Sequence, residues 1–200
     1  MIALAGARGK LAEASFFLEL LRRLENNQPV TTDSLDNEAT YTSRRPCFNA
    51  CYSVLEHLER QGKRSLRSIG TRESKPCEAE LKGDVAALCA QNPDLYATDH
   101  DAGSRGTYGL RHLTVHHEVV DGRHQEQTHG GLGTARLGTT RLGAATHSRR
   151  LYVDHPFSQA RLWIVPRMTE HAQELEELVT HWENRIASLD TPSAATHLRT

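Results

Sequence analysis

Residues 107–122 run TYGLRHLTVHHEVVDG, and their spacing predicts a helix from Gly106 to Val120 with Thr107 available to cap it. A helix advances about 100° per residue. Leu113, His117 and Val120 then fall within about 80° of Leu110 and form a core face. Arg111, Val115, Val119, His112 and His116 follow in that angular order over about 140° of the other side. Two valines in the middle of a polar face suit a second covered surface rather than solvent. A symmetric partner would cover it, with Arg111 and His116 at its margins.

Helical spacing also governs what lies before this segment. Leu11, Ala14, Leu18 and Leu21, flanked by Phe17, Leu20 and Leu24, predict a first helix from Leu11 to Glu25, stopped by Asn26, Asn27 and Pro29. The polar stretch 29–45 is expected to be loop. Pro46 suits a first helical turn, so Phe48, Cys51, Tyr52, Leu55 and Leu58 predict a second helix ending near Gly62. A third is expected from about Glu78 to Ala90, before Asn92-Pro93.

Beyond Val120 the pattern changes. From Asp121 to Arg150 hydrophobic periodicity is lost and glycines recur, including an echo of TARLG (134–138) in TTRLG (139–143). A long hairpin or loop is expected there. Leu151–Val153 and Leu162–Val165 read as short strands. Pro166 and Thr169 then introduce a last helix carrying Leu175, Leu178, Val179, Trp182 and Ile186. The expectation is a mainly α protein, a helical bundle with a small β-hairpin excursion before its last helix. It forms one domain over residues 1–190, with an insertion at about 121–165 and a disordered tail at 191–200.

Composition narrows the function classes. Two hundred residues suffice for one core without disulfides, and hydrophobic residues at 38% against charged residues at 24% argue against wholesale disorder. A net charge of −1 gives no global field for nucleic acid, so any basic surface must be local. No apolar run reaches the roughly 20 residues of a membrane span. The start, MIALAGARGKLAEASFF, has its basic residues after its apolar ones, the wrong order for a secretory signal, and the expected location is cytoplasmic. Cys47, Cys51, Cys77 and Cys89 form no CxxC pair and are expected as reduced, partly buried thiols. No Walker loop, GxSxG elbow, HExxH or dinucleotide fingerprint occurs.

RHLTVH at 111–116 has the R-polar-x-x-x-H pattern of the HEPN superfamily of small helical proteins, and the chain resembles that family in layout as well. EASFFLELL, FNACYSVLEHL and EHAQELEELV are similar to the first, second and last helices of prokaryotic HEPN-like proteins, from about Leu11 to Ala187. Many such proteins are metal-independent endoribonucleases whose dimers line one cleft with the motif Arg and His of both subunits. The resemblance therefore implies Arg111, His112 and His116 as catalytic residues, with His112 standing where Asn or Asp is more usual. It also implies a homodimer meeting through Val115 and Val119, RNA as substrate, and no cofactor or metal. A role as toxin or defence component, with an antitoxin or nucleotidyltransferase partner, belongs to the same picture. The side chains suit the chemistry: a histidine titrates in the useful range, and arginine grips a phosphate through two N–H groups. A phosphate would also be favoured by free N–H groups at a helix start.

Other residues carry weaker expectations. Basic residues gather at Arg60, Lys63, Arg64, Arg67, Arg72 and Lys75, and again from Arg123 to Arg150. Arg64, Arg67, Arg136 and Arg141 are the candidate RNA-binding residues among them. Charge runs of this kind also describe ordinary solvated surfaces. A non-catalytic HEPN-like module docking on another protein is the alternative. A further one is a metal-binding helical protein using His112 and His116, four apart, with Glu118, His124 or His129.

Overall fold

The computed structural model describes residues 4–26, 28, 38–97, 109–110, 122–129, 136–137, 140–141, 146–154 and 161–190. The first helix, α1 (Ala5–Glu25), buries Ala7, Leu11, Ala14, Leu18 and Leu21 in alternating steps of four and three. That stripe faces a neighbouring helix along its whole length. The helix begins two turns earlier than its apolar spacing predicts, and it has no side-chain cap of its own. Gln61 of the next helix supplies one instead: its Oε1 accepts the N–H groups of Gly6 at 3.0 Å and Ala7 at 3.2 Å.

The second helix, α2 (Glu38–Ile69), lies antiparallel to α1, so that Cys47 reaches the Ala14 carbonyl while Gln61 reaches Gly6. It corrects two expectations. Residues 38–45 are helix rather than loop, and the helix runs through Pro46. An internal proline costs about 3 kcal/mol, but Cys47, Phe48, Ala50 and Cys51 are all buried immediately after it. Burial at about 1.5–3 kcal/mol for a large apolar side chain offsets that cost. Nor does α2 stop at Gly62. That glycine is a packing position, where an added Cβ would lie 2.5 Å from Leu81 Cδ2. The stop is Gly70, whose φ of 65° and N–H bond to the Leu66 carbonyl (3.2 Å) make a left-handed C-terminal cap.

The third helix, α3 (Ser74–Gln91), starts a turn before its predicted beginning, where Thr71 and Ser74 exchange hydrogen bonds at 3.1 Å. Asn92 ends it, and Pro93–Tyr96 adds a single turn, α4. The last helix, α5 (Ile164–Asp190), buries Ile164, Val165, Met168, His171, Leu175, Val179, Trp182 and Ile186. It begins at Ile164 and so takes in the end of the second predicted strand. Pro166 is tolerated because first-turn N–H groups have no partner inside the helix. Arg8 ties α1 to α5 through Glu183 (2.6 Å), Thr180 (2.8 Å) and Glu176.

The β excursion lies before α5, as expected, and is larger than predicted. β1 (Gly122–His129), β4 (Thr146–Asp154) and β5 (Arg161–Trp163) form an antiparallel sheet in the order β1-β4-β5. β2 (Arg136–Leu137) and β3 (Thr140–Arg141) pair separately. Leu151 and Val153 are buried with the helical core, and β5 leads directly into α5. Just beyond the Tyr152–Trp163 pair, the Leu151 N–H donates to Glu25 Oε1 at 2.8 Å, fastening the sheet to the end of α1. The protein is mainly helical, a bundle with a small antiparallel excursion before its last helix. Among the described residues no helix is long and apolar enough to cross a membrane. The predicted tail lies outside the described residues.

Candidate functional site

Of the predicted motif helix, Gly106–Val120, only Gly109 and Leu110 are described: Gly109 is not helical and Leu110 is. Leu110 is 2% exposed and belongs to the main core. The Gly109 N–H donates to the Ala97 carbonyl at 2.8 Å. A Cβ on Gly109 would lie 2.5 Å from the Leu95 carbonyl oxygen and would also strike Leu95 C and Tyr96 N. These are backbone atoms with no rotamer to yield, so only glycine fits. Arg111, His112, Val115, His116 and Val119 lie outside the described residues, as do His117 and Glu118.

Beneath Gly109 is a polar cluster that sequence reasoning missed. Arg167 of α5 donates to Asp94 through two nitrogens, at 2.7 and 2.9 Å, and to Asn92 Oδ1. The guanidinium is held protonated first by its bonds to Asp94. Asn92 also donates to the Leu88 carbonyl at 2.8 Å, so its buried amide has partners at both ends. One α5 turn further on, His171 is fully buried between Tyr96, 2.5 Å from its Nε2, and Glu174, 2.9 Å from its Nδ1.

The protonation states follow from the surroundings. Burial pushes the Tyr96 phenol well above its usual range, and Cys51 and Cys89 act in the same direction. Burial lowers His171, against the opposing effect of the hydrogen bond it donates to Glu174. Near neutral pH a protonated phenol therefore donates to Nε2 of a neutral imidazole, and Nδ1–H donates to Glu174. Both imidazole nitrogens are used internally. The cluster thus positions the α4 turn and the residues packed on it rather than reacting with a substrate. One sequence signal marked it: His171 occupies a core position between Met168 and Leu175, at helical steps of three and four.

Tyr52 of α2 packs against Tyr96, with ring centroids 6.1 Å apart. It also ends an open groove of about 610 Å³ lined by Glu56, His57, Glu59, Arg60 and Lys63. Arg60 lies 3.3 Å from His57 Nδ1, and Lys63 pairs with Glu59. Arg64 is exposed further along α2. Arg67 is engaged by Glu78 of α3, at 3.0 Å from Nη2 and 3.1 Å from Nε, and that bond raises its pKa. Arg136 and Arg141 are register partners in the β2–β3 ladder.

Cys47, Cys51 and Cys77 are buried and Cys89 is half-buried, all as free thiols. The hydrogen bond that the Cys51 thiol donates to Cys47, together with burial, holds Cys51 well above its ordinary range and so disfavours the reactive thiolate. Among the described residues no group of three His, Cys, Asp or Glu is placed to hold a metal ion. Comparison with family models, with curated proteins and with solved structures finds no match for this chain.

Proposed function

We propose that this protein is a metal-independent endoribonuclease of HEPN type, acting in the cytoplasm as a homodimer and serving in a toxin or defence system. The observation that carries the reading is the anchoring of Gly109 and Leu110, the two residues that lead into the motif. R-polar-x-x-x-H follows directly on a first helical residue locked into the core by Leu110 and by the steric fit of Gly109. A catalytic pair needs such a fixed base, because small displacements of reacting groups cost large factors in rate.

His116 takes the proton of a ribose 2′-hydroxyl, and the 2′-oxygen attacks the adjacent phosphorus. The bond to the 5′-oxygen breaks and that oxygen takes a proton from water, leaving a 2′,3′-cyclic phosphate and a 5′-hydroxyl. Arg111 holds the phosphate oxygens as charge develops, and His112, four residues before His116 in the sequence, is the third residue of the motif. Val115 and Val119 bring the second subunit's pair to the same cleft.

The test is cleavage of mixed-sequence single-stranded RNA in EDTA. Wild type is expected to cleave and leave cyclic phosphate ends, while DNA and 2′-O-methyl RNA resist. Arg111→Ala and His116→Ala each remove most activity, and the double variant is hardly worse than either, because the pair acts as a unit. Full cleavage by a folded double variant, or loss of wild-type cleavage in EDTA, overturns the assignment.

A further inference from the structure

Side chains alternate between the faces of a strand. Because Leu151 and Val153 point into the core, Arg150, Tyr152 and Asp154 belong to the opposite face of β4. The register sets Trp163 beside Tyr152, Arg161 beside Asp154 and Gln125 beside Arg150. These side chains meet. The Arg161 guanidinium carbon lies 4.0 Å from the Tyr152 ring centroid and 5.9 Å from that of Trp163. The Arg150 guanidinium carbon lies 5.6 Å from the Trp163 ring, and the two rings pack edge to face at 5.6 Å.

Arg161 is held over the Tyr152 ring by two hydrogen bonds. It donates to Asp154 at 3.3 Å on one side and to Gln125 at 3.1 Å on the other, bridging all three strands. Gln125, Arg150 and Arg161 are nevertheless exposed. A guanidinium fixed over a phenol presents its outer plane to whatever approaches. The charge of the segment points the same way. From Gly122 to Trp163 there are six arginines and no lysine, against Glu126 and Asp154 alone, in a chain of net charge −1.

We propose that this face of the β1-β4-β5 sheet is a stacking platform for single-stranded RNA. A base lies on the Arg161 plane or against Trp163, and Arg150 takes a neighbouring phosphate. Planar π-faces interleaved with arginines are how sequence-tolerant single-strand surfaces work, and an arginine plane stacks a base as an aromatic ring does. The choice of RNA over DNA rests on the ribonuclease reading above; the platform itself does not.

The experiment uses the full chain in EDTA with a fluorescein-labelled 2′-O-methyl oligouridine 12-mer, which cannot be cleaved through its 2′-oxygen. Binding is read by anisotropy and by quenching of tryptophan emission. Trp182 is 1% exposed and bonded to Asp84, so the quenchable signal belongs to Trp163 and survives Trp182→Phe. Replacing Arg150 and Arg161 together with Gln is expected to weaken binding about tenfold or more. It should also reduce the slope of log K against log salt by about 0.7, the value for the single phosphate contact that Arg150 makes with a single strand. Replacing both with Lys keeps the salt slope but removes most of the quenching, which a purely electrostatic surface would not do. Unchanged affinity in the folded Gln variant overturns the proposal, as do absence of saturable wild-type binding, preference for duplex, and preference for a poly-glutamate chain. Failure of the catalytic reading looks different: RNA stays intact but still binds.

Discussion

Replacing Gly109 with alanine tests the link between the core and the motif helix. The added methyl carbon would lie 2.5 Å from the Leu95 carbonyl oxygen, against a comfortable separation of about 3.5 Å. Relief requires the α4 turn and residue 109 to part by about 1 Å, at an overpacking cost of about 1–3 kcal/mol. The same movement breaks the 2.8 Å bond from Gly109 to Ala97, for a further 0.5–1.5 kcal/mol or so. Alanine also restricts the unfolded chain, which returns about 0.4–1 kcal/mol. The steric loss wins, and the net destabilisation is about 2–3 kcal/mol, or a fall in melting temperature of about 4–12 °C for a domain of this size. Urea titration followed by circular dichroism measures it. Gly9→Ala and Gly83→Ala are the controls: both sites are helical, a Cβ there meets nothing within 4 Å, and each should stabilise by up to about 1 kcal/mol. If the proposed ribonuclease reading holds, RNA cleavage by Gly109→Ala falls even where the protein remains folded, since Arg111 lies two residues further on in the sequence. An alanine variant within about 0.5 kcal/mol of wild type would refute the close approach of Gly109 to Leu95 and Tyr96.

His171 makes stability depend on pH. Its folded pKa is depressed, so its contribution is complete above the unfolded value of about 6.5 and is lost as pH falls through the lower folded value, because only the unfolded imidazole takes a proton in that window. His171→Gln should flatten the urea midpoint between pH 7 and pH 5 relative to wild type, and parallel profiles would contradict the burial argument. Replacing Val115 and Val119 together with Glu should yield monomer by light scattering, since buried like charges repel across a two-fold axis. A wild type already monomeric at tens of micromolar (about the range where a specific interface should hold) would remove the dimer from the proposal.

What could be read in advance follows from the range of the interactions. The stripes Leu11, Ala14, Leu18, Leu21 and Leu175, Val179, Trp182, Ile186 are local patterns, and both helices are where those patterns place them. The boundaries that moved depend on distant residues. α1 starts early because Gln61, more than fifty residues away, accepts its first N–H groups. α2 passes Gly62 because the glycine makes room for Leu81, a contact indistinguishable in sequence from a helix stop. Tyr96 and His171 are 75 residues apart, and the core position of His171 in its own helix does not point to Tyr96 as its partner. The arginines of the glycine-rich region were legible as charge, whereas the stacking of Arg161 on Tyr152 depends on strand register. Of the candidate site, the motif itself is a local pattern; the bonds that join α4 to α5 beneath Gly109 are long-range.

The α4 turn shows why that cluster is polar. Four residues cannot sustain a helix alone, since nucleation fixes several residues for a single bond. Pro93–Tyr96 is nevertheless held by Arg167 at Asp94, by His171 at the Tyr96 hydroxyl and by Tyr52 at the Tyr96 ring. Apolar contacts alone would give comparable stability but would let the turn slide or rotate by fractions of an ångström. A two-nitrogen Arg–carboxylate pair and a fully bonded imidazole impose direction as well as distance. That matters because Gly109 packs against the backbone of Leu95 and Tyr96, so any error in the turn passes directly to Gly109 and Leu110. Buried polar groups of this kind contribute little net stability. Their effect is to fix α4 on α5, and with it the backbone against which Gly109 packs.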